Sequence, residues 1–226
     1  MANAEFGIGF LPSDVFHSAF RIPHSELVSG AFMHQEVIMG GVGGQGIMVI
    51  GNLLAQAAFM ENLNVTYLPI YGVEKRGGQA DCTVVISSEE IGSPVVGAPQ
   101  SCLLMSRPSL QKYGPRIKPH GLLVLNSSLM DPKEVSRNDL EVLPIPANDL
   151  AMDLKNDRLA NMIMIGAFVE KTRVVNLDTM ISLLPRIFDE RHHHLIPANT
   201  EAIRKGAECA WILLSKYPGK AKPPKE

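Results

Sequence analysis

The sequence predicts an α/β fold, a doubly wound and mostly parallel sheet with helices gathered at its C-terminal end. Three observations carry that prediction. A short apolar run at Val37–Met39 passes through five glycines in the seven positions 40–46 into a stretch with helical apolar spacing, and a β-branched, aromatic run follows. Several further short, continuous apolar runs come next, separated by Pro- and Gly-rich loops, as in a sheet covered on both faces. From Asn148 onward the pattern turns helical.

Taken in order, Gln35 to Met39 reads as a buried strand, and Gly44 to Asn62 as a helix whose Ile47, Ile50, Leu54, Ala57 and Ala58 recur at helical spacing. The run "NVTYLPIYG" is a second strand, so the opening reads as a βαβ unit. Strands follow at Ala80 to Ser87, Ser101 to Ser106, Gly121 to Asn126 and Leu140 to Ile145. The helical stretches are "LANMIMIGAFVEKT", "NLDTMISLLPRIF" and "NTEAIRKGAECAWILLSKY", the last with Asn199 as its expected cap. One α/β domain over residues 34–217 is expected, with an N-terminal extension of unassigned role at 1–33 and a flexible polar tail at 218–226.

The 226 residues suffice for a sizeable core, and 46% hydrophobic with 19% charged residues is the composition of a globular domain. A formal net charge of −2 offers no basic excess for tracking phosphate backbones, so no nucleic-acid partner is expected. Cys82, Cys102 and Cys209 stand far apart, without CxxC or Cys/His ligand spacing, and are expected as buried thiols in a reducing cytoplasm. No apolar run is long enough to span a membrane, and the first residues lack a signal-peptide pattern. The consecutive His192, His193 and His194 point in different directions around a helix and are expected to face solvent rather than a metal.

Gly41, Gly43 and Gly46 satisfy G-x-G-x-x-G. Glycines there permit positive φ and close approach to the main chain, and the free N–H groups opening the next helix make an anion site. A dinucleotide would further want an acidic residue near the end of the second strand, yet no carboxylate appears there before Glu74. Tight strand-to-helix packing, or approach of a partner subunit, would use the same glycines. The second informative stretch is "YGVEKRGGQAD", Tyr71 to Asp81, in which Lys75 and Arg76 precede Gly77 and Gly78. Its position after the second strand predicts that it faces the glycine turn, where Lys and Arg would give charge-assisted bonds to phosphate.

With "GVGGQG" at 41–46, "YGVEKRGG" at 71–78, "VVISSEEIGSPVV" at 84–96 and "LANMIMIGA" at 159–167, the chain resembles the gamma subunit, or gamma domain, of the 2-oxoacid:ferredoxin oxidoreductases. The order and spacing match from about residue 35 to residue 206. The "YGVEKRGG" form is more similar to the 2-oxoglutarate and branched-chain members than to the pyruvate or indolepyruvate members; Lys75 departs from the small or aliphatic residue expected before the arginine. The resemblance implies a Rossmann-like subunit of an assembly that decarboxylates a 2-oxoacid oxidatively, passes electrons to ferredoxin and forms an acyl-coenzyme A. It implies that alpha and beta subunits, with a ferredoxin-like delta subunit in some assemblies, carry thiamine pyrophosphate, Mg and the iron–sulfur clusters. Coenzyme A is the ligand it implies for this chain, with Gly43, Gly44, Gln45 and Gly46 as the turn, Lys75 and Arg76 on phosphates, and Asn161 at the edge of the site. A helix cap or a buried amide bonded to backbone is the alternative role of Asn161. A scaffold without a ligand, or an NAD(P)-binding domain, is the alternative for the whole chain.

Overall fold

The computed structural model describes residues 32–71 and 78–216. Its strands are β1 (His34–Val42), β2 (Asn64–Tyr71), β3 (Gln79–Ser87), β4 (Ser101–Leu104), β5 (Leu122–Asn126) and β6 (Glu141–Ile145). The helices are α1 (Ile47–Met60), α2 (Arg107–Tyr113), α3 (Ala147–Asp153), α4 (Ala160–Thr172), α5 (Leu177–Ser182), α6 (Leu184–Ile187) and α7 (Ile196–Lys216). The six strands lie in the order β2-β3-β1-β4-β5-β6. β1, β4, β5 and β6 pair in parallel, whereas β3 runs antiparallel to both β1 and β2. The sheet is thus mostly parallel in direction, as predicted, with one reversed strand set into it.

That reversed strand corrects the expected opening βαβ unit. β1 and β2 run the same way but are not neighbours, because β3 lies between them, with Val42 opposite Gln79 and Tyr71 opposite Ala80. β2 and β3 are instead joined as a hairpin through residues 72–78.

Alternation along the strands sorts the core into two layers. Val37, Met39, Leu103 and Val124 point to the face covered by α1, α3, α4 and α7, while Ile38, Cys102, Leu104 and Leu123 point to the face covered by Leu110 and Tyr113 of α2. α4 is buried from Ala160 to Glu170, which explains why its sequence is apolar all round rather than in a stripe. It crosses α7 at very short range. A Cβ on Gly166 would lie 2.0 Å from the Ile203 carbonyl oxygen, and one on Gly206 would lie 1.8 Å from that of Ile163.

α7 begins at Ile196, earlier than expected, with Pro197 in its first turn, where a missing N–H costs nothing. Asn199 is therefore not a cap. It sits inside the helix and its Nδ2 donates back to the Leu195 carbonyl at 2.7 Å. His193 Nε2 lies 3.1 Å from the carbonyls of Pro185 and Phe188, and His194 Nδ1 lies 3.0 Å from that of Arg191; both histidines tie their own turn together. Among the described residues no helix is long and apolar enough to cross a membrane, and no group of three or more His, Cys, Asp or Glu could hold a metal ion.

Cys82, Cys102 and Cys209 are free and buried. Burial pushes the Cys82 and Cys102 thiols up to about 12 and Cys209 up to about 11. Native protein at pH 8 is therefore expected to resist iodoacetamide at all three sites, with labelling that keeps pace with unfolding; fast labelling of any one would show that its pocket opens locally. Because these folded-state values are raised, their contribution to stability is fully present below the unfolded thiol value of 9.0 and is lost as pH climbs from there toward 11–12. Urea midpoints measured from pH 8 to 11 should fall accordingly.

Candidate functional site

The chain leaves β1 at Val42, turns through Gly43–Gly46 and enters α1 on one face of the sheet. It leaves the neighbouring β4 at Leu104 and enters α2 on the opposite face. The crevice between two adjacent parallel strands whose connections diverge is where open α/β sheets receive ligands.

The turn is built by its own residues. Gly44 has φ 97° and Gly46 φ 72°, in the left-handed region that favours glycine. Gly43 N–H donates to the Gly78 carbonyl at 2.8 Å, and Gln45 N–H donates to that of Val42 at 3.1 Å. Both polar atoms of the Gln45 side chain bond within the frame: its Oε1 accepts from Val42 N–H at 2.9 Å and its Nε2 donates to the Met105 carbonyl at 3.2 Å, strapping the turn to the end of β4. Asn161 reaches the turn from α4. Its Nδ2 donates to the Gly46 carbonyl at 3.3 Å, its Oδ1 accepts from Met162 N–H at 2.9 Å, and the residue is only 7% exposed. Asn161 is thus a buried amide bonded to backbone, and the backbone it holds is the glycine turn.

Gly43 and Gly44 are exposed. A Cβ at Gly44 would meet nothing within 4 Å. Among the described residues, the N–H groups of Gly44, Gly46, Ile47 and Met48 have no acceptor, α1 has no side-chain cap, and no acidic residue lies in its first turn. A helix of 14 residues thus presents its positive end uncapped at the crevice. The nearest buried carboxylate, Asp81, stands opposite Gly40 and is held below the turn by Lys112 Nζ at 2.8 Å and the Tyr113 hydroxyl at 2.7 Å. Burial pushes the Tyr113 phenol up, with Asp81 adding and Lys112 opposing, so the hydroxyl remains a donor. This Asp81, Lys112 and Tyr113 group escaped the sequence reading, since its members lie 31 and 32 residues apart and share no motif.

Lys75 and Arg76 lie outside the described residues. What the structure shows is the stem: Tyr71 ends β2, and Gly78, whose carbonyl is bound to Gly43, opens into β3. Gly43, Gly44, Gln45, Gly46 and Asn161 are brought together; Gly78 joins them although the sequence assigned it no contact. The dinucleotide alternative loses its geometric basis, because the end of β2 stands two strand spacings, about 9.6 Å, from β1. A ribose selector belongs on the adjacent parallel strand.

A family profile described as Pyruvate ferredoxin/flavodoxin oxidoreductase matches residues 36–209. The chain belongs to this family. It is 30% identical over 184 residues to the 2-oxoglutarate synthase subunit KorC of Methanocaldococcus jannaschii, covering 79% of this chain and 95% of that subunit. It is 33% identical over 138 residues to the ketoisovalerate oxidoreductase subunit VorA of Methanothermobacter marburgensis, covering 61% of this chain but only 28% of that protein's length. Among solved structures, a 2-oxoglutarate:ferredoxin oxidoreductase from Magnetococcus marinus, with 2-oxoglutarate, coenzyme A and succinyl-CoA bound, superposes with a TM-score of 0.75 at 25% identity, covering 84% of this chain and 32% of that one. The gamma subunit of a keto/oxoacid ferredoxin oxidoreductase from Geobacter sulfurreducens shares the fold, with a TM-score of 0.67 at 24% identity, covering 79% of this chain and 99% of that one.

Proposed function

We propose that this chain is the gamma component of a 2-oxoacid:ferredoxin oxidoreductase acting on 2-oxoglutarate, and that its glycine turn receives the diphosphate of coenzyme A. The observation that carries the reading is the set of main-chain N–H groups at Gly44, Gly46, Ile47 and Met48, without acceptors among the described residues, at the uncapped start of α1. The near-complete coverage of KorC and the coenzyme A in the Magnetococcus marinus structure support the same ligand and oxoacid.

In this reading coenzyme A supplies the thiol that accepts the acyl group, while thiamine pyrophosphate, Mg and iron–sulfur clusters reside in alpha, beta and, where present, delta partners. This chain's own work is binding and orientation. The N–H groups and the dipole of α1 hold negative charge, each such interaction contributing about 0.3–1 kcal/mol at an exposed terminus. Gln45 and Asn161 keep the turn rigid, so that little conformational freedom is lost when the ligand arrives. Arg76 follows Lys75 and lies two residues before Gly78, whose carbonyl is fastened to the turn. Both would add charge-assisted bonds to phosphate oxygens.

The test replaces Lys75 and Arg76 by alanine in the reconstituted enzyme. The coenzyme A KM is expected to rise about tenfold or more, from the loss of about 1.5–3 kcal/mol per charged hydrogen bond, with the 2-oxoacid KM unchanged. A second reading, a scaffold without a ligand, is favoured by the way Gln45 and Asn161 spend their side chains on the turn itself. It expects unchanged coenzyme A kinetics in the same double variant, together with weakened subunit assembly when the turn is altered.

A further inference from the structure

A cleft of about 420 Å³ opens at the other end of the sheet, where β1, β4 and β5 begin. His34, Gln100, Lys118, His120 and Lys171 are among the residues that line it, and no carboxylate is. Ligand sites of this size are ordinarily walled by apolar side chains; here Pro119 and Leu122 are the apolar members and hydrogen-bond donors predominate. The geometry points to a binding site for a small molecule carrying two or more carboxylate or phosphate groups.

The donors are held in place from behind. Lys118 Nζ donates to Glu36 at 2.7 Å and Lys171 Nζ donates to Glu141 at 2.6 Å; each ammonium has three donor positions and uses one of them among the described residues. Lys171 is only 14% exposed at its side chain, so little reordering of its stem would accompany binding. Gln100 accepts Glu36 N–H through Oε1, which leaves its amide group to donate. The two ammonium groups belong to opposite faces of the sheet. Glu36 alternates with Ile38 on the α2 side, whereas Glu141 alternates with Leu143 on the α4 side. A ligand lying across the lower edge of the sheet would meet one cation from each face, which asks for two anionic groups rather than one. Lys171 also stands in the last turn of α4, where it offsets the negative end of that helix.

The loop between the two walls is rigid and strained. Lys118 N–H, His120 N–H and Gly121 N–H donate to the carbonyls of Pro99, Asp139 and Lys118, and Leu122 N–H donates to that of Gln100. His120 is thereby held at φ 62°, a left-handed conformation that a side chain bears at a cost. Its imidazole makes no hydrogen bond among the described residues, and the nearby Asp139 is already taken by Arg137. A strained backbone thus presents an exposed imidazole, close enough to Asp139 to help hold that carboxyl below its usual range, at the wall of a donor-lined cleft, and strain of this kind gathers at ligand contacts.

This site is independent of the coenzyme A reading and lies at the far end of the strands from it. The test titrates the isotopically labelled full chain with citrate and with acetate at fixed ionic strength, following amide resonances. Saturable shifts are expected at His34, Ser101, His120 and Thr172 with citrate, and at least tenfold weaker binding of acetate. Lys118→Gln is expected to weaken citrate about tenfold. His120→Gly, which relieves the backbone strain and so keeps the fold, is expected to weaken it about threefold. Equal affinity for citrate and acetate, shifts that never saturate, or citrate binding unchanged in both variants would overturn the proposal.

Discussion

Gly166→Ala is expected to destabilise the protein by about 3 kcal/mol or more, and Gly206→Ala by a similar amount. Each added methyl would fall within 2.0 Å of a main-chain oxygen on the facing helix, Ile203 in one case and Ile163 in the other. Neither oxygen belongs to a flexible side chain that could swing aside. α4 and α7 must separate along their whole crossing, and α4 is buried over Ala160–Glu170, so the separation opens the largest core layer. Urea midpoints measure the loss. The double variant should lose clearly less than the sum of the two singles, because one separation accommodates both methyls. Additive losses would mean that the two contacts yield independently and that the crossing is softer than it looks.

Gly46→Ala is expected to have the largest effect on ligand response for a single methyl. The residue sits at φ 72°, which costs an alanine about 1–2 kcal/mol, and the new Cβ would lie 2.3 Å from Asn161 Nδ2. The amide can be displaced, but only by giving up its bond to the Gly46 carbonyl. The turn then loses its tie to α4, and its N–H groups are aimed elsewhere. On the proposed coenzyme A reading, the coenzyme A KM of the reconstituted enzyme should rise about tenfold, a change worth about 1.4 kcal/mol. Gly46→Ala/Asn161→Ala removes the collision and should recover stability relative to Gly46→Ala alone, while the φ cost persists. Gly44→Ala provides the contrast: its φ is 97° but its Cβ would meet nothing within 4 Å, so it should show strain without collision. If Gly46→Ala and Gly44→Ala behaved alike, Asn161 would not be the prop that the geometry makes it.

The strands were legible in the sequence because they are short apolar or β-branched runs, with β3, β4 and β5 buried along most of their length, and the glycine turn because Gly44 and Gly46 take left-handed φ values that favour glycine. The strand pairing is less legible there. A strand, helix, strand order suggested adjacent parallel partners, but the seven residues 72–78 between β2 and β3 are too few for a crossover and dictate a hairpin instead. Once formed, that hairpin inserts β3 beside β1. Asn199 misled because a cap-like residue precedes Glu201, while Pro197 was the better marker of the helix start. Gln45 and Asn161 stand out in the sequence, but not as braces of the turn. Their bonds run to Met105 and Gly46, 60 and 115 residues away, and no local pattern encodes such distances. The cleft at the far end draws on residues from His34 to Thr172 for the same reason.

The reversed strand has an evolutionary corollary. A crossover must carry a helix back over the sheet and so has a minimum length, whereas a hairpin fastened at both stems tolerates residues added at its tip. Here one stem is fastened by the β2–β3 ladder and the other by the bond from Gly43 to Gly78. Descendants of this chain could therefore lengthen or shorten the segment between Tyr71 and Gly78 without disturbing the register of a single strand.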